Sequence, residues 1–300
     1  MLEVDRELYE TLHDNGPLNN IPQELLISLE KSNFICDDNL DETMIFISKN
    51  RVTRFSNEHI RVTIMPTLNC NFRCWYCYEE HFHSQMSPEI RNASIKFCKK
   101  LIDKYNPKLF SLDWFGGEPL LYFDEIMYPI AKEIMNYCDE KRIPFSHGIT
   151  TNGYLIDEDK IEKFKYLRLK SFQITLDGSE KYHNRTRFST TDKNTYTKLV
   201  TNITKLVRHI DSINMMVRIN YTPTNIDSID QIADSFPEDI RAKLEIVPQI
   251  VWQYKNIINP INDIIHNKLK IFSDKGYIAE KIYIKIPDGT CCYTEKCSNM

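Results

Sequence analysis

The pattern of apolar and polar positions becomes regular near residue 60. From there, short apolar runs rich in β-branched residues alternate with longer amphipathic segments. The apolar runs predict six strands, at 60–66, 109–115, 145–150, 171–176, 215–222 and 244–251. The segments between them predict helices at 87–105, 123–141, 157–166, 194–209 and 226–236. Strands that alternate with helices pair in parallel, so the pattern predicts an α/β fold, either an open doubly wound sheet or a full or partial barrel.

Residues 1 to about 58 are polar and mixed, and they lack this alternation. The spacing of apolar residues predicts one helix at Gln23–Lys31, and the apolar stretch 44–48 predicts a short strand. No pattern typical of catalysis or ligand binding occurs there. We therefore expect a small N-terminal segment in front of the α/β region.

Composition narrows the class of protein. With 300 residues, 42% of them hydrophobic and 27% charged, the chain can bury a substantial core, which argues against disorder. A net charge of -4 favours neither a nucleic acid nor a membrane surface as a partner. The sequence shows neither a signal peptide nor a run of 18 apolar residues, so we expect a cytoplasmic protein.

Polar and glycine-rich residues follow the predicted strands at their carboxyl ends, where both candidate topologies bind ligands. Turn chemistry alone is the alternative explanation, but it would have to recur at four consecutive strands. The residues concerned are Cys70, Cys74 and Cys77 after the first strand, Gly116-Gly117-Glu118-Pro119 after the second, Thr151-Asn152-Gly153 after the third and Asp177-Gly178 after the fourth, with Arg218 and Asn220 inside the fifth.

Three cysteines lie within eight residues in Cys70-Asn-Phe-Arg-Cys74-Trp-Tyr-Cys77. Three thiolates would leave one iron of a cubane iron–sulfur cluster free to bind a substrate or cofactor. A structural zinc site needs a fourth ligand, which His81 or His83 would supply. A thioredoxin-like pair of Cys74 and Cys77 is a third interpretation, although it leaves Cys70 unexplained.

Three motifs in this order resemble those of the radical S-adenosylmethionine (SAM) enzymes. The cysteine loop, with Tyr76 before its last cysteine, looks like the cluster-binding loop of that superfamily. The segment 116–119 resembles its GGEP motif. Residues 177–187 are similar to the DG…HD-x-x-R pattern of its peptide-modifying branch, with Asn184 where that branch usually has Asp.

The resemblance implies a [4Fe–4S] cluster on Cys70, Cys74 and Cys77. It also implies that the open iron binds SAM, which one electron cleaves reductively to a 5′-deoxyadenosyl radical. The two glycines would let the backbone approach the cofactor. The residues implied in cofactor binding are Tyr76 over the adenine, Gly116 and Gly117, Glu118 at the ammonium, Thr175 and Arg187 at the ribose and carboxylate, and Asn220.

A second group of cysteines, Cys291, Cys292 and Cys297, lies close to residue 300. It is similar to the start of the SPASM region of peptide-maturing radical enzymes, which binds auxiliary iron–sulfur clusters through about seven cysteines. The resemblance therefore implies a sequence truncated at that start, or an incomplete auxiliary cluster. Cys36, Cys98 and Cys138 lie in or beside predicted helices, and we interpret them as small apolar residues.

The resemblance implies a partial (β/α)6 TIM-like barrel at 59–255, between an N-terminal segment at 1–58 and a linker helix with the start of the cysteine-rich region at 256–300. The implied function is radical modification of a ribosomally synthesised precursor peptide, with a flavodoxin- or ferredoxin-type electron donor. The alternatives are an anaerobic sulfatase-maturing enzyme, which forms formylglycine, and, from another class, a zinc-stabilised binding module. No general base is assigned, because Asp113 and Asp177 have equally good structural explanations.

Overall fold

Six parallel strands form one sheet in the computed structural model, which describes residues 21–31, 35, 37, 39–254 and 261–279. Their order in the sheet is their order in the chain, and β1 and β6 are its two edges. A doubly wound sheet would reverse this order at a switch point, so the six-stranded sheet is that of a partial barrel open on one side. The strands are β1 (His59–Ile64), β2 (Leu109–Trp114), β3 (Phe145–Thr151), β4 (Ser171–Leu176), β5 (Asn214–Tyr221) and β6 (Leu244–Ile250).

Helical segments connect the strands, and all five helices predicted after residue 60 are present as helical structure. The segment predicted at 226–236 is a 3-10 helix, Ile226–Asp234. The segment predicted at 123–141 begins with a π-helical turn, Phe123–Met127. In the second unit, the α-helices are α3 (Pro88–Tyr105), α4 (Tyr128–Lys141), α5 (Glu158–Tyr166), α6 (Glu180–Thr186), α7 (Thr195–His209), α8 (Glu238–Arg241) and α9 (Ile261–Asp274), and two further 3-10 helices span Pro119–Tyr122 and Trp252–Tyr254.

The chain divides into two compact units, residues 1–51 and 52–300. In the first unit α1 spans Gln23–Lys31 as predicted, and α2 (Glu42–Phe55) begins there. The strand predicted at 44–48 is wrong, because these residues lie in α2. The Asp41 carboxylate accepts a hydrogen bond from the Met44 amide at 2.8 Å and so caps this helix. The prediction considered only the short apolar run and not this capping residue in front of it.

Side chains alternate across the sheet between a buried apolar core and a polar inner face. In β4, Phe172, Ile174 and Leu176 belong to the core, whereas Gln173 and Thr175 face a cavity. Cys98 and Cys138 are fully buried among apolar core residues, which confirms their predicted character. Cys36 and residues 280–300 lie outside the described residues. None of the helices in the described part of the chain is long and apolar enough to cross a membrane.

Candidate cofactor site

A cavity of about 400 Å³ lies at the carboxyl end of the sheet, within the size range of ligand pockets. Nine of the ten predicted site residues in the described chain line it. These are Cys70, Cys74, Cys77, Tyr76, Gly116, Gly117, Thr175, Arg187 and Asn220. The exception is Glu118, and Cys291, Cys292 and Cys297 lie outside the described residues.

Neighbouring loops hold the first part of the loop that carries the three cysteines. The Gly117 amide donates to the Thr67 carbonyl at 3.1 Å, and the Glu118 amide donates to the Asn69 carbonyl at 2.9 Å. Further along, Phe72 pairs with Ser189 in an antiparallel bridge. The Phe72 side chain is 1% exposed, and its ring packs edge-on against Tyr154. These contacts hold the chain on both sides of Cys70 against the neighbouring loops.

The two glycines after β2 permit this close approach. A Cβ on Gly117 would lie 2.2 Å from the Asn69 carbonyl oxygen, far inside contact distance. Gly116 has a φ of +109°, which side chains rarely adopt, and its Cβ would lie 2.6 Å from the Thr67 carbonyl oxygen. Both glycines line the cavity, but their tightest contacts are with the chain just before Cys70.

Glu118 lies behind the cavity wall and is fully buried. Its carboxylate accepts hydrogen bonds from the Thr151 hydroxyl at 2.6 Å and from the Asn152 amide at 2.8 Å. A third bond, 3.0 Å, comes from the Leu120 amide. Burial raises the pKa of this carboxyl, and the three donors oppose the rise. In this conformation Glu118 joins the ends of β2 and β3, and Thr151 and Asn152 reach the cavity in its place.

A buried network links Tyr76, Asp177 and Arg187. The Tyr76 hydroxyl donates to Asp177 Oδ1 at 2.8 Å and accepts from Arg187 Nη1 at 2.9 Å. Burial raises the pKa of Asp177 to about 6, and the nearby Arg187 guanidinium opposes this rise. Thr186 donates to the second oxygen of Asp177 at 3.0 Å. The network fixes the Tyr76 ring beside the cysteines, with the Asp177 charge balanced by Arg187.

The residues that follow Asp177 support this network. His183 Nδ1 accepts a hydrogen bond from the Asp177 amide at 3.2 Å. Asn184, where the resembling branch has Asp, accepts from the Tyr196 amide at 3.0 Å, near the start of α7. An amide oxygen is sufficient for that acceptor role. The departure at Asn184 is therefore compatible with the same local structure.

Several cavity residues were not predicted as cofactor contacts. Arg218 lies opposite Thr175 in the sheet, and its Nε donates to Asn220 Oδ1 at 2.9 Å. Burial lowers the pKa of Arg218, which remains a cation. Arg218 was noted in the fifth strand but given no cofactor role, although residues two apart in a strand share a face and Asn220 had been assigned one. Among the other polar residues of the cavity, Asn152 was placed at a ligand-binding strand end without a cofactor role, whereas Gln173 and Gln249 were not predicted.

The donor set fits an iron–sulfur cluster better than a single metal ion. Burial raises the pKa of Cys70 to about 12 and that of Cys74 to about 11, so a bound metal centre must displace their protons. Within 39–254 and the other described residues, no three His, Cys, Asp or Glu side chains converge to ligate one ion. The zinc site with His81 or His83 is therefore not formed there. A cubane takes one thiolate at each of three separate irons, which suits three sulfurs around one cavity.

The sequence is similar to those of known proteins. The family model described as the radical SAM superfamily matches residues 64–235. The radical SAM cyclopropyl synthase TigE of Paramaledivibacter caminithermalis is 26% identical, and the match covers 93% of this chain and 64% of TigE. The cysteine-type anaerobic sulfatase-maturating enzyme of Clostridium novyi is 26% identical, covering 65% of this chain and 50% of that enzyme. The chain thus spans about half to two thirds of the length of these relatives.

Solved structures show the same fold. The structure of anSMEcpe with bound AdoMet and Cp18Cys peptide has a TM-score of 0.55 and 16% identity, and the match covers 74% of this chain and 62% of that chain. The family model matches more than half of the chain, over the segment that contains the cysteine loop, the glycine pair and the Tyr76 network. The chain therefore belongs to the radical SAM superfamily, whose members use a [4Fe–4S] cluster and S-adenosylmethionine.

Proposed function

We propose that Cys70, Cys74 and Cys77 hold the [4Fe–4S] cluster, and that the enzyme modifies a ribosomally synthesised peptide. One observation supports the cluster assignment above all others. The three cysteines line one cavity together with the glycine pair and with Tyr76 and Arg187 of a buried, charge-balanced network. This combination provides a ligand set and polar wall residues around the same space.

When bound, the cluster and SAM together supply a carbon radical that removes hydrogen from an unactivated carbon. The protein itself binds and orients these groups and shields the radical. Gly116 and Gly117 keep side chains out of the cavity wall, while Thr175 and Asn220 offer polar contacts from β4 and β5. Arg187 holds the Tyr76 ring in place for the adenine. Glu118 acts through Thr151 and Asn152, whose positions it fixes.

The peptide substrate is supported by the relatives and by the shape of the sheet. TigE is a cyclopropyl synthase, and the anSMEcpe structure carries a bound peptide. In the described chain the edge strands β1 and β6 do not pair with each other, so the sheet is open on one side and gives an extended substrate a lateral entrance. Part of the outer edge of β6 is covered by Ile278, which forms a parallel bridge with Glu245. We further propose a cytoplasmic location and a flavodoxin- or ferredoxin-type electron donor. Sulfatase maturation is the second candidate, because the Clostridium novyi relative has that function.

The cluster assignment is tested with Cys74→Ala after anaerobic reconstitution. We expect loss of the broad absorbance near 400 nm, of bound iron and of 5′-deoxyadenosine release under dithionite. Cys98→Ala is the matched control, because Cys98 is a buried cysteine of α3 outside the cavity lining. If Cys74→Ala keeps about four irons per chain and still releases 5′-deoxyadenosine, the cluster loop is assigned wrongly.

The peptide assignment needs a separate measurement. A short peptide encoded beside this gene, deuterated at its aliphatic carbons, should transfer deuterium to 5′-deoxyadenosine when it is incubated with the reconstituted enzyme. A sulfatase peptide that transfers deuterium instead would favour the second candidate. If neither peptide transfers deuterium while SAM is still cleaved, the assignment to radical SAM chemistry stands and the proposed peptide substrate is wrong.

A further inference from the structure

Asn152, at the carboxyl end of β3, reaches the sulfur of Cys70. Its Nδ2 lies 3.8 Å from Cys70 Sγ and donates to Asn71 Oδ1 at 2.8 Å. The Phe72 amide donates to the same sulfur at 3.3 Å. Cys70 Sγ therefore has two N–H donors, one from its own loop and one from a loop 82 residues further along the chain.

The orientation of the Asn152 amide is fixed by its other partners. Its Oδ1 accepts a hydrogen bond from the Tyr154 amide at 2.9 Å, and only the oxygen can accept there. The NH₂ group must then face Asn71 and Cys70. The Asn152 backbone amide is held in turn by Glu118 Oε2 at 2.8 Å. With 7% exposure, the side chain has little freedom to reorient.

A donor in this place affects the charge on the sulfur. An N–H group that points at a cluster thiolate stabilises negative charge, and the reduced cluster carries one negative charge more than the oxidised one. Hydrogen bonds to the sulfurs are among the features that set the reduction potential of iron–sulfur clusters. Removal of such a donor favours the oxidised cluster. The cluster then becomes harder to reduce, and cofactor cleavage needs the reduced cluster.

We propose that Asn152 is a positioning residue for Cys70, and that its amide raises the reduction potential of the cluster. This inference rests on the proposed ligation of the cluster by Cys70. It gives the Glu118 carboxylate a function that does not require contact with the cofactor: Glu118 holds Asn152, and Asn152 holds the sulfur.

The test compares the reconstituted full chain with Asn152→Asp, Asn152→Ser and the control Asn202→Ser. Asp keeps the shape and the acceptor for Tyr154 but loses the donor. Asn202 is an equally buried asparagine whose Nδ2 donates to the Gly153 carbonyl at 2.8 Å, on the same loop but away from the sulfur. The measurement is the ratio of reduced to oxidised cluster at the wild-type midpoint potential, from the electron paramagnetic resonance signal of the reduced form.

We expect the ratio of reduced to oxidised cluster to fall about tenfold in Asn152→Ser. For one electron this corresponds to a midpoint potential about 59 mV more negative. The ratio should fall further in Asn152→Asp. Asn202→Ser should keep the wild-type ratio. Loss of iron in both Asn152 variants, with iron retained in Asn202→Ser, would also support the inference, since Cys70 would then depend on Asn152 for its place. An unchanged ratio in Asn152→Ser, or equal effects in Asn202→Ser, would overturn it. A wild-type chain without a cluster would refute the proposed function instead.

Discussion

Gly117→Ala adds one methyl group at the point where two loops of the site meet. Gly117 has an ordinary backbone conformation, so the substitution causes no strain of its own in φ and ψ. The added Cβ would meet the Asn69 carbonyl oxygen at 2.2 Å and the Leu68 carbonyl oxygen at 2.5 Å. Both partners are backbone atoms, which cannot move aside by a change of rotamer.

The size of the displacement follows from these distances. Ordinary contact begins at 3.4 Å, so the Asn69 carbonyl must retreat from 2.2 Å by more than 1 Å. Overpacking of this kind costs about 1–3 kcal/mol in stability. The residue next to Asn69 is Cys70, a proposed cluster ligand, and a misplacement of about 1 Å in a site can lower the rate about 100-fold. We therefore expect the cluster loop to move and the chain to bind much less iron.

The assay measures iron per chain, absorbance near 400 nm, equilibrium binding of SAM and the thermal midpoint. Gly276→Ala is the control, because Gly276 has a φ of +88° but no atom within 4 Å of an added Cβ. Gly276→Ala should lower the folding stability by about 1–2 kcal/mol, because alanine is strained in the left-handed conformation. It should keep its iron. Wild-type iron and SAM affinity in Gly117→Ala would refute the argument, and iron at the wild-type level with weaker SAM binding would show that the cofactor, not the loop, needs the glycine.

Two further predictions concern other parts of the chain. His147 is buried and neutral, with Nε2 accepting from the Trp114 indole at 2.6 Å, and burial lowers its pKa from 6.5 to about 4. The folded state then binds fewer protons than the unfolded state below pH 6.5, so stability falls as the pH drops. Urea titrations at pH 7 and pH 5 measure how far the free energy of unfolding falls between the two pH values. This fall should be about 2 kcal/mol smaller in His147→Gln than in the wild type, and an equal fall would contradict the prediction. Substitution of Cys291, Cys292 and Cys297 by Ala should leave about four irons per chain, and an iron content that falls from about eight to four would show an auxiliary cluster.

The strands of the second unit were predictable because each is a short apolar run with clear turn residues at its ends. The predicted and observed limits of β4 are identical, and those of the other strands differ by two residues at most. The strand predicted at 44–48 was wrong because a run of four apolar residues fits either a strand or a helix. The Asp41 cap that decides for a helix is a single residue outside the run.

The end of the sheet at which the site lies followed from the rule that ligands bind at the carboxyl ends of parallel strands. The individual cofactor-binding residues followed from the resemblance to radical SAM motifs. Their roles were harder to predict, because a role depends on which partner lies nearest in space. Glu118 is adjacent in sequence to two cavity glycines, yet its carboxylate turns to Thr151 and Asn152. Nothing in the spacing of the motif distinguishes a carboxylate that faces a ligand from one that joins two strands.

Arg187 has a structural role besides its proposed role in cofactor binding. Its guanidinium balances the buried charge of Asp177, donates to Tyr76 and lies over the Phe72 ring with 5.8 Å to the ring centre. Removal of one partner from a buried ion pair costs about 3–5 kcal/mol, because the other charge stays buried without compensation. A loss of SAM binding in an Arg187 variant would therefore mix instability with a lost contact. Thr175 lines the same cavity from β4 and is not part of this network, so a substitution there reports on the cofactor contact more directly.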